Sequence, residues 1–148
     1  MVVIKGKRQK EMRDKGKMIT QDQFLAECDD LGVILFHKLK ELASEKRHHD
    51  ELIPRTESFS YYVTRKAMRF CLLNVWPNVI CILKDNIKPD NGFAPDVIAT
   101  FWEVVSKMGE LPNRFKAMKQ PSFAISDITE DEINRFVSVF KRLIDSLQ

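Results

Sequence analysis

Two stretches of the chain repeat their apolar residues at intervals of three and four, which limits its possible folds more than any other feature. In the first stretch they are Phe24, Cys28, Leu31, Leu35, Leu39 and Leu42, and in the second Ile133, Phe136, Val137, Phe140, Leu143, Ile144 and Leu147. Residues spaced this way share one face of an α-helix. Thr20 with Gln23 and Thr129 with Glu132 also match the capping box, which satisfies backbone donors at a helix start. We therefore predict helices that begin near Thr20 and Thr129.

The middle of the chain is also predicted to be helical. A second helix is expected from about residue 57 or 58 to 74, and Pro77 indicates a kink or a restart. Because apolar residues between 70 and 85 would cover most sides of a helix, this segment is predicted to be a buried helix at the centre of the fold. Pro95 and Asp96 open another helix, which Gly109 ends. A short strand near 122–126 is the one extended segment that we consider.

Five helices with buried faces predict an all-α fold, a compact bundle with a basic and flexible N-terminal arm. The chain has 148 residues, which fits one domain, and we divide it into an arm of residues 1–18 and a helical domain of residues 19–148. The chain has only 5 Gly and 6 Pro, so its sequence predicts few tight turns, and this disfavours a β-sandwich or a β-barrel. Gly32 lies inside the first helix, where we expect another helix to approach closely.

Composition favours a cytoplasmic, reducing location and no membrane contact. No run of residues reaches the roughly 18 apolar positions that a membrane span needs, and the N-terminus lacks the apolar region of a signal peptide. Cys28, Cys71 and Cys81 lie in apolar patterns without metal-binding spacing, which predicts buried free thiols. We expect no metal and no cofactor.

Positive charge is concentrated at the N-terminus. Residues 1–18 hold seven Lys and Arg against Glu11 and Asp14, a net charge of +5, whereas the whole chain carries +3, so the other residues sum to −2. A basic arm on a nearly neutral domain is typical of a segment that seeks phosphates or an acidic partner. A solvated leader is the alternative interpretation.

Three basic groups form the candidate binding surface for nucleic acid or an acidic partner. The arm, a segment with two neighbouring tyrosines and a segment around Phe115 contribute them. The residues are Lys5, Lys7, Arg8, Lys10, Arg13, Arg65, Lys66, Arg69, Arg114, Lys116 and Lys119. Basic side chains neutralise phosphates and aromatic rings stack on bases. Because Arg65 and Arg69 are four residues apart, we expect them to share a helix face.

The sequence contains no recognisable catalytic constellation. It has no G-x-S-x-G, no Walker A and no G-x-G-x-x-G motif. His48 and His49 precede Asp50 and Glu51, and a small enzyme site near these histidines is the weakest of our hypotheses. We predict no catalytic residue.

We therefore expect a non-catalytic interaction or regulatory module that binds another macromolecule. A protein partner is the first hypothesis, with a homo-oligomer among its forms, because long apolar stripes can leave a face for a partner. The second hypothesis is a nucleic-acid-binding protein that uses the basic arm and basic helix faces.

Overall fold

The computed structural model describes residues 17–45, 50–108 and 121–147. Over these residues the chain forms helices and an antiparallel sheet, an α+β fold, so the prediction of an all-α helical bundle is wrong. The helices are α1 (Gln21–Glu27), α2 (Asp30–Glu45), α3 (Pro95–Ser106) and α4 (Glu130–Asp145). The strands are β1 (Asp50–Pro54), β2 (Phe59–Arg65), β3 (Met68–Trp76), β4 (Val79–Ile82) and β5 (Ser122–Ala124). Short 3₁₀ turns occupy Lys84–Asn86, Pro89–Asn91 and Ile125–Asp127.

The five strands lie in the sheet in the order in which they occur in the chain, each antiparallel to its neighbour. Tight connections join the first four strands, and α3 is inserted between β4 and β5. β1 and β5 lie at the two edges of this sheet. Pro54 ends β1, which fits an edge position because proline cannot donate to a ladder.

The segment from 57 to 85 was predicted to be helical, yet it forms the centre of the sheet. β2 alternates Phe59, Tyr61 and Val63 on one face with Ser60 and Tyr62 on the other, and aromatic and β-branched residues suit this pleated surface. The predicted central position of residues 70–85 is confirmed in terms of burial, since Leu72, Leu73, Ile80 and Ile82 are fully buried there.

The predicted helix starts are confirmed, with complete capping boxes at Thr20 and Thr129. The first helix, however, ends at Glu27, and α2 begins anew at Asp30. None of the described helices is both long and apolar enough to cross a membrane. Gly32 does meet a close neighbour, as predicted, but it is the β3–β4 turn: a Cβ on Gly32 would lie 2.5 Å from the carbonyl oxygen of Pro77.

The helices and the sheet form two layers with the core between them. Phe36 of α2 packs against Phe59 of β2 with ring centroids 4.9 Å apart, and Phe140 of α4 lies 5.0 Å from Tyr61. α3 joins this layer by packing against α4. We call the sheet face that carries Phe59, Tyr61 and Val63 the inner face, and the opposite face the outer face. The apolar stripes of α2 and α4 are thus largely used inside the molecule.

Candidate functional site

A cleft of about 440 Å³ lies at the outer face of the sheet. We call it the outer cleft, and its lining residues are 55–58, Ser60, Tyr62, Cys71, Asn74, Trp76 and Leu83. Ligand pockets in proteins typically enclose roughly 300–1,000 Å³. The cleft is therefore large enough for a planar group such as an aromatic heterocycle.

A β-bulge builds the floor of the outer cleft. Tyr61 pairs with Leu73 but Tyr62 pairs with Cys71, so Leu72 is an extra residue in β3. Residues three apart on a regular strand point to opposite faces, but this extra residue lets both Cys71 and Asn74 line the same cleft. The bulge also lets Leu72 and Leu73 both be fully buried.

The amide of Asn74 is held by its oxygen. Ser60 Oγ donates to Asn74 Oδ1 at 2.6 Å, while the Cys71 thiol donates to the carbonyl oxygen of Leu73 at 3.4 Å. Ser60 is only 2% exposed, so its hydroxyl has little access to water. Asn74 Nδ2, at the other end of the same amide, donates to no acceptor within the described ranges. Asn74 thus brings an amide of fixed orientation, with a spare donor, to the cleft.

The cysteines do not supply an activated nucleophile. Burial raises the pKa of the Cys71 thiol, against a smaller opposing effect of the charge of Arg55. Burial, followed by the negative charges of Asp29 and Glu27, raises the pKa of Cys28 to about 11. Thiolate, not thiol, is the reactive form. Cys71 therefore acts in the cleft as a weak hydrogen-bond donor.

Two arginines lie at the rim of the outer cleft around Tyr62. Arg55 is exposed, and its Nη1 donates to Tyr62 Oη at 3.4 Å. The guanidinium carbon of Arg69 lies 4.0 Å from the centroid of the Tyr62 ring, a cation–π geometry. Arg69 Nη2 also lies 3.5 Å from Glu51 Oε2, and both side chains are about half exposed. Tyr62, Arg55 and Arg69 form one connected group.

Arg65 and Arg69, which were predicted to share a helix face, lie on two neighbouring strands. Arg65 extends toward the buried Asp50, with 3.6 Å between Arg65 Nη1 and Asp50 Oδ1, and its side chain is only 16% exposed. Tyr61 Oη donates to Asp50 Oδ2 at 2.6 Å. The expected helix face is therefore wrong, and Arg65 belongs to a buried polar network while Arg69 belongs to the rim. Lys66 is exposed in the β2–β3 turn.

The other predicted residues lie outside the described ranges. They are Lys5, Lys7, Arg8, Lys10, Arg13, Arg114, Lys116 and Lys119, together with His48 and His49. Convergence of the three basic groups on one surface stays a prediction. Within residues 17–45, 50–108 and 121–147, no cluster of three His, Cys, Asp or Glu side chains could hold a metal ion.

A second, smaller crevice of about 170 Å³ lies between α2 and α4. Its charged lining includes Lys38, Glu41, Glu45 and Lys141, and Lys141 Nζ lies 3.5 Å from Glu45 Oε2. Opposite charges thus meet within the crevice itself. It offers less room and no aromatic side chain for a ligand, so the outer cleft is the better candidate site.

Sequence reasoning missed most of the cleft. Arg55, Ser60 and Asn74 were not among the candidate residues, and Trp76 was interpreted only as part of an apolar stripe. The available signal was the high content of aromatic and β-branched residues from Phe59 to Val63, which is typical of a strand.

No protein-family model matches the chain, and searches of curated proteins and of solved structures found no significant match.

Proposed function

We propose that this protein binds single-stranded nucleic acid at the outer cleft, without catalysing a reaction. The observation that carries the proposal is the group of Arg55, Tyr62 and Arg69 beside Trp76 on one face of an antiparallel sheet. Proteins that bind single strands combine basic side chains, which contact the phosphates, with aromatic rings, on which bases stack. Sheets that bind single-stranded RNA present aromatic side chains on one face in this way.

The stacking surfaces have different roles in this proposal. Trp76 is partly exposed at the cleft and offers a ring face to a base. Arg69 covers one face of Tyr62, and a guanidinium plane stacked on an aromatic ring can itself stack on a base. Arg55 is exposed at the rim, where it can neutralise a phosphate of the same strand.

A protein partner, our first hypothesis from the sequence, has less support at the described surface. That hypothesis relied on surplus apolar helix faces, but Phe136, Phe140 and Leu143 of α4 are fully buried in the core. The homo-oligomer and the regulatory role remain hypotheses. A cytoplasmic location is part of the proposal, since partly buried, unpaired cysteines are typical of a reducing compartment.

Tryptophan fluorescence tests the proposal directly. The chain has two tryptophans, and Trp102 lies on α3, so Trp102→Phe leaves Trp76 as the only indole reporter. Titrating this variant with oligodeoxythymidylate at low salt is expected to quench its emission. Trp76→Ala, followed by the anisotropy of a labelled strand, is expected to weaken binding by roughly 5- to 150-fold, because stacking on one base contributes about 1–3 kcal/mol.

The charge contribution is tested with a matched pair of arginine variants. Arg55→Gln is expected to weaken binding at low salt and to reduce the salt dependence, whereas Arg135→Gln, exposed on α4, leaves both unchanged. Anisotropy of labelled oligodeoxythymidylate over a potassium chloride series measures both effects. Absence of any binding at low salt would exclude the proposal. An affinity that is unchanged in Trp76→Ala would show that the nucleic acid binds at a surface other than the outer cleft.

A further inference from the structure

We infer that Asn74 reads one base in the outer cleft and selects bases with a keto oxygen over bases with an amino group. The inference deepens the proposed function and rests on it. It concerns a different residue from those that supply stacking and charge, and it predicts a preference among sequences rather than binding as such.

The geometry leaves Asn74 only one way to recognise a ligand. Its Oδ1 points at the nearly buried Ser60, whose Oγ donates to it at 2.6 Å. An asparagine with a free amide can pair with adenine through both its donor and its acceptor. Here the acceptor is occupied, so Asn74 offers the cleft a donor, Nδ2.

A donor at a fixed place distinguishes bases by their exocyclic groups. Thymine and uracil present the acceptor O4 and guanine presents O6, whereas cytosine and adenine present amino groups at the corresponding positions. An amino group facing Asn74 Nδ2 would place two donors together and leave both unpaired, which is costly in a partly buried site. The cleft should therefore prefer thymine to cytosine, two pyrimidines of similar size.

Ser60 is the positioning residue for this preference. Its hydroxyl is nearly buried and donates to Oδ1, which holds the amide oxygen toward the sheet and away from the ligand. Cys71, which the β-bulge places on the same face, donates its proton to the carbonyl oxygen of Leu73 and leaves this contact to Ser60. The Ser60 contact thus leaves Nδ2 as the end of the amide that is available to a ligand.

The experiment compares oligodeoxythymidylate with oligodeoxycytidylate of equal length, above pH 7.5, by fluorescence anisotropy. The wild-type protein is expected to bind the thymidylate on the order of tenfold more tightly, the value of one hydrogen bond in such a site. Asn74→Asp replaces the donor by an acceptor and should reverse the preference. Asn134→Asp, exposed on α4, makes the same chemical change away from the cleft and should leave the preference intact.

A ligand variant tests the inference even if Asn74→Asp does not fold. An oligonucleotide of 2-pyrimidinone, which lacks the exocyclic group at position 4, should bind the wild-type protein more weakly than thymidylate and more tightly than cytidylate. Equal affinity of the wild-type protein for all three strands would overturn the inference while leaving the proposed function intact. Failure to bind any of them would instead overturn the proposed function.

Discussion

Tyr61 and Tyr62 are neighbours in the chain but serve opposite faces of β2. Tyr62 lies at the outer cleft beneath the guanidinium of Arg69. Tyr61 is fully buried on the inner face, where its hydroxyl donates to the buried carboxylate of Asp50. Burial, followed by the hydrogen bond to Asp50 and its charge, raises the pKa of Tyr61 well above its usual range. The folded state therefore holds the Tyr61 proton at high pH.

The buried Tyr61–Asp50 pair makes the free energy of unfolding depend on pH in the alkaline range. An unfolded tyrosine ionises near pH 10, whereas folded Tyr61 stays protonated above that pH, so its contribution to stability is complete below about pH 10. Above that pH the free energy of unfolding falls by about 1.4 kcal/mol per pH unit through this group. Tyr61→Phe should cost about 1–3 kcal/mol at pH 7, because Asp50 loses a donor. The difference from wild type should shrink from pH 10 to 11.5.

Urea denaturation of both proteins at each pH measures this effect. Lysine ionisation is common to both chains and cancels in the difference. A difference that stays constant up to pH 11.5 would show that the proton of Tyr61 is not held by the fold.

The β2–β3 hairpin turns through two residues whose backbone is unusual for their type. Lys66 has φ = 51° and Ala67 has φ = 66°, both in the left-handed region. Two-residue hairpin loops of this kind favour Asn-Gly because only residues such as these adopt positive φ at little cost. The turn therefore carries strain, which the surrounding strand pairs and core contacts offset.

Relieving this strain should stabilise the protein. Ala67→Gly removes the Cβ that disfavours a positive φ, and we expect the free energy of unfolding to rise by about 0.5–1 kcal/mol. Thermal or urea denaturation followed by circular dichroism measures the change. Ala99→Gly, an exposed position on α3, is the matched control. It should have the opposite sign and lower stability by about 1 kcal/mol, because glycine disfavours helix.

The same hairpin explains why the fold class could not be predicted from the sequence. Lys66-Ala67 lacks the residues typical of a two-residue turn, so sequence patterns predict one continuous element where β2 and β3 are two. The bulge at Leu72 places Phe70 and Leu73, three apart, on the same buried face, which imitates helical spacing. Ala67, Met68 and Leu72 are moreover good helix formers. Tertiary pairing overrides each of these local signals.

Helices whose first turn carries a capping box or a proline could be predicted from the sequence. The capping boxes at Thr20 and Thr129 depend on contacts between residues three apart, and Pro95 lies at the start of α3. The short strand that we considered near 122–126, outside the predicted all-α fold, is present at Ser122–Ala124. The outer cleft depends instead on strand register and a bulge, which join residues of three segments and leave no local mark.

At the scale of the whole molecule, the core that stabilises the fold and the proposed binding site lie on opposite faces of one sheet. The inner face carries the aromatic core with α2 and α4, and the outer face carries the cleft. The positive net charge lies in neither face of the sheet but in the N-terminal arm, because residues 1–18 carry +5 and the remaining residues carry −2. Under the proposed function, the basic arm would supply nonspecific affinity and the cleft would supply the preference for a base.

Removing the arm tests this division. A variant that begins at Ile19 keeps a residue that is 2% exposed and whose backbone N–H donates to the carbonyl of Arg55. We expect weaker binding of oligodeoxythymidylate at low salt and a shallower dependence of log K on log salt, by about 0.7 for each phosphate that the arm neutralises in the full chain. The ratio of thymidylate to cytidylate affinity should stay unchanged.

Anisotropy titrations at several salt concentrations measure both quantities in one series. An unchanged salt slope would show that the arm does not neutralise any phosphate. A collapse of the base preference would show that the arm, rather than the cleft, selects the sequence.

The extra residue in β3 has a consequence for how this protein tolerates change. Deleting Leu72 would make β3 a regular strand in which Cys71 and Asn74, then two positions apart, still face the outer cleft. An added residue would instead need a larger bulge, or it would move the side chains that follow to the opposite face of the sheet.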